Sequence, residues 1–352
     1  MCRRERMTNL LASMDERLTG HFRSAGIKRI ILIVLAHFPL LVFLLLGHSS
    51  TVPHRWALVF SIVLAIICDI ILLVDRILHH TLIRLFRPEP PGPPFRHEDF
   101  EKLSYTSSDG TEMPMWHHDE KGEGLAVFLH GWTSCSHYQL ERMRALWATG
   151  WSTVTLDLRG HGEAPPTRIF SSVQAAMDVH CAIAELHSAT LIDQRETLLI
   201  HGHSLGAYVA QHVLKTWESK HGSRPRVILE SPLIDLPLII IHKAPLMRIL
   251  LPLIMRRIAS LTQIIEPTSP PWSPKSFGPP EWGSFEGEKI LFIQAGVDRT
   301  LGPAQAEAAK LAYPWLKVHT IDNLRHSARE SNPSRDSVIL DWLTGHSDSD
   351  SM

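Results

Sequence analysis

Two apolar runs stand near the start of the chain, and short apolar segments alternating with helical patterns fill the rest. Ile30 to Leu46 carries no formal charge and is broken only by His37 and Pro39, while Ala57 to Val74 carries one charge, Asp69. Each run lies near the lower end of the ~20 residues that cross a bilayer core. Residues 47–56 between them hold Ser49, Ser50, Thr51 and Pro53, with Trp56 placed as an interfacial anchor. The pattern predicts a two-helix transmembrane hairpin over 30–87. Its last part, residues 75–87, mixes apolar positions with His79, His80, Arg84 and Arg87 and predicts an amphipathic juxtamembrane helix. A cleaved leader is disfavoured, because residues 1–29 are long for its charged region and a second run follows at once. Asp69 is expected to meet the other helix or the interface rather than lipid.

Basic residues orient the hairpin. Arg3, Arg4, Arg6, Arg17, Arg23, Lys28 and Arg29 precede it, Arg76, Arg84, Arg87 and Arg96 follow the second run, and the loop holds only Arg55. Positive flanks stay cytoplasmic, so the basic segment 1–29 and the C-terminal domain are both expected on that side of an integral membrane protein.

Pro88-Glu-Pro-Pro-Gly-Pro-Pro94 predicts a stiff linker over 88–99. From Phe100 the pattern changes. Segments 101–106 and 112–117 flank Ser108-Asp-Gly110 and predict an antiparallel edge hairpin. Strands are predicted at 125–129, 151–158, 197–200, 226–229, 289–293 and 317–321. Helices are predicted at 137–149, 173–189, 205–217, 304–312 and about 334–343. Regular alternation of this kind makes a mainly parallel sheet covered by helices on both faces, over 100–345. Ligands in such sheets sit beyond the carboxyl ends of the strands.

Residues 233–287 form a long insertion between two strands. Leu236 to Met255 is strongly apolar, but His242, Lys243, Arg248, Pro245 and Pro252 argue against a third span and for an amphipathic cap. Arg256 and Arg257 would suit anionic headgroups. Pro267 to Pro280 reads as loop, and residues 346–352 as a solvated tail.

A net charge of -1 gives no sign of nucleic-acid binding. Cys2, Cys68, Cys135 and Cys181 are scattered, without disulfide or zinc spacing, and Cys135 reads as an ordinary loop thiol. Gly202-His-Ser-Leu-Gly206 fits G-x-S-x-G between a predicted strand and a predicted helix, the setting of a nucleophile elbow. Ser204 is then the nucleophile. Position selects its base among 22 histidines: His326 follows the last strand, whereas His346 lies in the tail. The acid is assigned to Asp298, after the strand 289–293, with Asp235 as the main alternative and Asp322 too near His326 in sequence. Oxyanion donors are expected from the backbone N–H of Leu205, next to the nucleophile, and of Trp132, in the loop after 125–129.

These residues resemble the α/β-hydrolase superfamily, and more narrowly its monoacylglycerol-lipase and serine-aminopeptidase branch. The matching pieces are His130-Gly-Trp132, Asp157-Leu-Arg-Gly-His-Gly162, Gly202-His-Ser-Leu-Gly206, Glu230-Ser-Pro232, Gly296-Val-Asp298 and His326. The chain departs from the branch at Leu205-Gly206-Ala207, where Met-Gly-Gly is frequent, and it lacks the HGGG run of another lipase group. The resemblance implies an α/β-hydrolase fold with a cap insertion, no metal and no cofactor, and structural roles for Arg159 and His161. With the hairpin, it leads to the expectation of a membrane-anchored serine hydrolase acting on small-molecule or lipid-derived carboxylic esters, in contact with membrane lipids. A thioesterase, amidase, peptidase or acyltransferase would use the same groups, and a non-catalytic scaffold would keep the fold. Protein partners are not indicated.

Overall fold

The structure, a computed structural model, describes residues 27, 30–42, 52–88, 92–122, 124–167, 169–192, 197–217, 223–265, 277–279 and 289–345. Most of the basic segment 1–29, residues 43–51 with the end of the first apolar run and the first half of the loop after it, much of the cap's second half, and the tail with His346 lie outside the described residues. The chain divides into two compact units, residues 1–86 with 257–271, and residues 87–256 with 272–352.

In the first unit, α1 (Ile30–Val42) is a short apolar helix and α2 (Val52–Leu85) is a single helix of 34 residues. The predicted second span and its amphipathic continuation are therefore one element. No proline or glycine interrupts it after Pro53, so nothing breaks the ladder at Asp75. At 1.5 Å per residue α2 is about 51 Å long, well beyond the ~30 Å hydrocarbon core. Among the described residues it is the one helix long and apolar enough to cross a membrane. The described part of α1 is too short to do so alone, so the two-span hairpin rests on the sequence pattern. Asp69 pairs with His37 of α1, Oδ2 to Nε2 at 3.4 Å, so the helices meet at their polar positions. Arg257, read from sequence as a headgroup contact, instead pairs with Asp75 at 3.4 Å and lies 3.3 Å from the His79 ring.

The second unit is built on an eight-stranded sheet. Its strands are β1 (Glu101–Thr106), β2 (Glu112–His118), β3 (Gly124–Leu129), β4 (Ser152–Leu156), β5 (Thr197–His203), β6 (Arg226–Glu230), β7 (Ile290–Val297) and β8 (Val318–Arg325). They run in the spatial order β1-β2-β4-β3-β5-β6-β7-β8. β1 and β2 form the antiparallel edge hairpin, β2 is antiparallel to β4, and every later pairing is parallel. The order turns back at β3, which lies between β4 and β5. At such a switch point the loops diverge and leave a crevice.

Strand alternation separates two cores. Leu125, Val127 and Leu129 face one, with residues of α4 (Ser172–Ser188), α5 (Leu205–Lys215) and α8 (Ala304–Ala312). Ala126 and Phe128 face the other, with Met143 and Leu146 of α3 (Leu140–Trp147) and Ile339 and Trp342 of α9 (Pro333–Thr344). β3 is buried on both sides, which explains its uninterrupted apolar run. Each fully buried Leu, Val or Phe contributes roughly 1.5–3 kcal/mol of transfer free energy. Phe95 also joins this second core, so the predicted linker packs onto the domain before β1 begins.

The insertion starts from a fixed root. Leu233 N–H donates to the Ser204 carbonyl at 3.2 Å, and Gln305 Oε1 accepts from the N–H groups of Ile234 and Asp235 at 2.8 Å each. The Asp235 side chain then caps α6 (Leu236–Lys243) by accepting from Leu238 N–H at 3.0 Å. None of the α6 residues is buried. Pro245 opens a 3₁₀ turn over Pro245–Leu250, and α7 (Leu251–Ile265) follows, so the apolar run 236–255 is broken into three pieces.

Candidate active site

β5 ends at His203 and α5 starts at Leu205, leaving Ser204 alone on the turn with φ 54° and ψ -113°. A non-glycine residue there is strained, at a cost on the order of 1–3 kcal/mol. The neighbours hold it. Ser204 N–H donates to the Glu230 carbonyl at 3.0 Å, and the Ser204 carbonyl accepts from Leu233 N–H. A Cβ at Gly202 would lie 2.5 Å from Ala207 Cα, and one at Gly206 would lie 2.1 Å from the Leu129 carbonyl oxygen. Backbone fills both places, so the turn closes only with glycine on either side.

The structure brings Ser204, His326 and Asp298 together. Ser204 Oγ lies 2.9 Å from His326 Nε2, and His326 Nδ1 lies 2.9 Å from Asp298 Oδ2. With Asp298 ionised, Nδ1 carries the proton and Nε2 presents its lone pair to the Ser204 hydroxyl. Asp298 Oδ1 accepts from the N–H groups of Thr300 and Leu301, at 3.0 and 2.8 Å. Burial alone would push the Asp298 carboxyl up, but the His326 ring and these backbone donors outweigh it and hold the carboxyl below its ordinary value. Asp235 is engaged in capping α6, and Asp322 lies within β8; neither contacts the ring.

Trp132 lines a cavity of about 170 Å³ together with Ser204 and His326. Leu205 stands directly behind it as the first residue of α5, its side chain packed against the core. Its N–H is one of the donors that a helix leaves free in its first turn.

Three supports escaped the sequence reading. His203, the variable position before the serine, donates from Nε2 to the backbone carbonyl of His326 at 2.7 Å. Burial and the nearby Arg142 charge drive its pKa well below the ordinary value, so the ring is neutral. Arg142 of α3 grips Glu230, donating from Nε and Nη2 to both carboxylate oxygens at 2.7–3.1 Å, and Nη2 also donates to the Ala328 carbonyl at 3.0 Å. That contact anchors the loop carrying His326. His130 donates from Nδ1 to the Gly131 carbonyl at 2.8 Å and accepts at Nε2 from Leu158 N–H at 2.9 Å, clasping the loops after β3 and β4. Glu230 and His130 stood in quoted motifs, but only the fold reveals their partners.

Other singled-out residues are structural. Arg159 bonds Asp178, Asp109 and Ser107, and His161 sits edge-on against Trp132 and Phe170. Burial pushes the Cys135 thiol up to about 11, aided by the Asp157 charge, which leaves it a poor nucleophile. Among the described residues no group of three His, Cys, Asp or Glu side chains is arranged to hold a metal ion.

Comparison with known proteins agrees with this architecture. The fold is similar to that of the Pyrococcus furiosus esterase Pf2001. One crystal form has 18% identity and a TM-score of 0.51, covering 74% of this chain and 98% of that one. A second has 17% identity and a TM-score of 0.52 with the same coverage. At this identity the likeness concerns the fold. A comparison with curated proteins found no match. The sequence pattern described as "Alpha/beta hydrolase family" matches residues 126–347, well over half of the chain. The chain belongs to the α/β hydrolase family.

Proposed function

We propose that this protein is a serine hydrolase that cleaves carboxylic esters through an acyl-serine intermediate and is held at a membrane by α2. The observation that carries the reading is the continuous hydrogen-bonded chain from Ser204 Oγ through His326 to Asp298, both links 2.9 Å, on a strained turn that opens into a cavity. His326 Nε2 takes the hydroxyl proton as Ser204 attacks the carbonyl, and the imidazolium is stabilised by Asp298. The Trp132 and Leu205 N–H groups would receive the negative charge that develops on the carbonyl oxygen. His326 then returns the proton to the leaving alcohol, and water repeats the sequence to release the acid.

The length and apolar character of α2 support membrane attachment. Leu246, Ile249 and Leu253 of the cap are largely exposed, which supports esters with an apolar portion, hence lipid-derived ones. The basic residues flanking the apolar runs support a cytoplasmic catalytic domain. A fluorophosphonate probe and p-nitrophenyl esters test the chemistry on the detergent-solubilised full chain. Ser204→Ala should abolish labelling and lower turnover by on the order of 10⁴-fold or more. Undiminished turnover in that variant would refute the assignment.

A further inference from the structure

The cavity beside Ser204 has an unusual wall for a site expected to meet lipid esters. No leucine, isoleucine, valine, methionine or phenylalanine lines it among the described residues, and neither does any aspartate or glutamate. The aromatic rings of Trp132 and Tyr138 share the wall with Thr133, Gln139 and two arginines, Arg142 and Arg329. Arg142 is spent on Glu230. Arg329 is not spent in this way: among the described residues no carboxylate lies within ion-pair distance of its guanidinium, although Glu330 accepts its backbone N–H at 3.3 Å. The guanidinium of Arg329, an exposed residue, instead lies over the Tyr138 ring, Cζ 3.5 Å from the centroid. A cation–π contact of this kind holds the guanidinium in place while its N–H groups can still donate. Two buried acceptors in this wall have no partner, Gln139 Oε1 and His203 Nδ1. Acceptors of this kind are satisfied by a ligand's donor, a hydroxyl beside the anionic group, and not by the anion itself.

We infer that Arg329, oriented by Tyr138, binds an anionic group carried by the ester substrate, a carboxylate or a phosphate close to the scissile bond. The inference rests on the hydrolase reading of Ser204 and narrows its substrate class. Both residues line one cavity of about 170 Å³, so the group held by Arg329 and the carbonyl attacked by Ser204 belong to the same compact part of one molecule. A planar guanidinium edge matches two oxygens of a carboxylate or phosphate.

The test compares matched esters on the full-length protein in detergent. p-Nitrophenyl hydrogen succinate is set against its neutral methyl ester, and acetylglycerol phosphate against acetylglycerol. The readout is the charged-to-neutral ratio of kcat/KM. For at least one pair this ratio should be about tenfold or more in the wild type, the size of one charge-assisted hydrogen bond, and should fall with added salt. The pair that shows it identifies carboxylate or phosphate. Arg329→Gln should bring the ratio to within about twofold of unity, and Arg329→Lys should recover part of it. Ratios near unity for both pairs in the wild type, or unaltered in Arg329→Gln, overturn the inference. Fluorophosphonate labelling separates the two levels: labelling with flat ratios removes only the anion subsite. If labelling fails, titration of succinate or inorganic phosphate by calorimetry still decides, since loss of binding in Arg329→Gln supports the subsite and equal binding, or none in the wild type, rejects it.

Discussion

Glu230→Gln is the most informative single change outside the Ser204, His326 and Asp298 group. Glu230 is 1% exposed and Arg142 3% exposed, and the pair is joined through three short donor–acceptor contacts. Burial alone would raise the Glu230 carboxyl. Arg142 outweighs it, then Arg335 and His201, and together they hold the group well below the ordinary carboxylate range. Glutamine keeps the volume and removes the charge, leaving the Arg142 guanidinium in the interior without its counter-charge. Breaking one side of a buried pair costs about 3–5 kcal/mol. For a domain of this size each kcal/mol shifts Tm by roughly 2–4 °C, so a loss of about 6–20 °C is expected. The sign with pH is fixed. A folded-state pKa below the unfolded one gives stability that is fully present above the unfolded carboxylate range and is lost as pH falls through the folded value. The wild-type advantage over Glu230→Gln should therefore be complete at pH 7 and shrink below about pH 4. Replacing both partners, Arg142→Met with Glu230→Leu, should recover much of the loss, because no uncompensated charge remains. Thermal melts of the full chain in detergent, followed by circular dichroism, measure all three proteins. A Glu230→Gln melt within about 2 °C of the wild type would refute the reasoning.

Gly206→Ala should be far more damaging than an exposed glycine replacement, since its Cβ would meet the Leu129 carbonyl at 2.1 Å, and backbone cannot swing aside. We expect a cost above about 3 kcal/mol and little active protein; a stable, fully active variant would show that the turn has slack. Asp298→Asn keeps the shape but removes the charge that fixes the His326 tautomer, and should lower ester turnover about 10⁴-fold with little change in Tm. A loss below tenfold would point to another orienting group.

The grouping of Ser204, His326 and Asp298 was legible because its signals are local. Ser204 sits between two glycines that the turn requires, and His326 and Asp298 each follow an apolar strand. Both of those strands run further than their apolar cores suggested, β7 to Val297 and β8 to Arg325. Gln294 and Gly296 in one, and Asp322, Asn323 and Arg325 in the other, hide the continuation, and β8 is an edge strand with much of its length exposed. What the sequence concealed is long-range pairing. Nothing near residue 142 announces a carboxylate at 230, and nothing near 203 announces the carbonyl of 326. α2 shows a different limit: apolar and amphipathic stretches look like two elements although one hydrogen-bonded ladder runs through both.

The root of the insertion has a practical consequence. The chain is clamped at Leu233, Ile234 and Asp235 before α6 begins, and α6 then buries none of its residues. Beyond that root the contacts of α6 are lighter, Leu236 and Ile239 against Tyr208 and Leu301, and Lys243 with the Arg299 carbonyl at 3.1 Å. Natural variation or laboratory grafting can exchange what lies beyond that root while the turn bearing Ser204 keeps its aim.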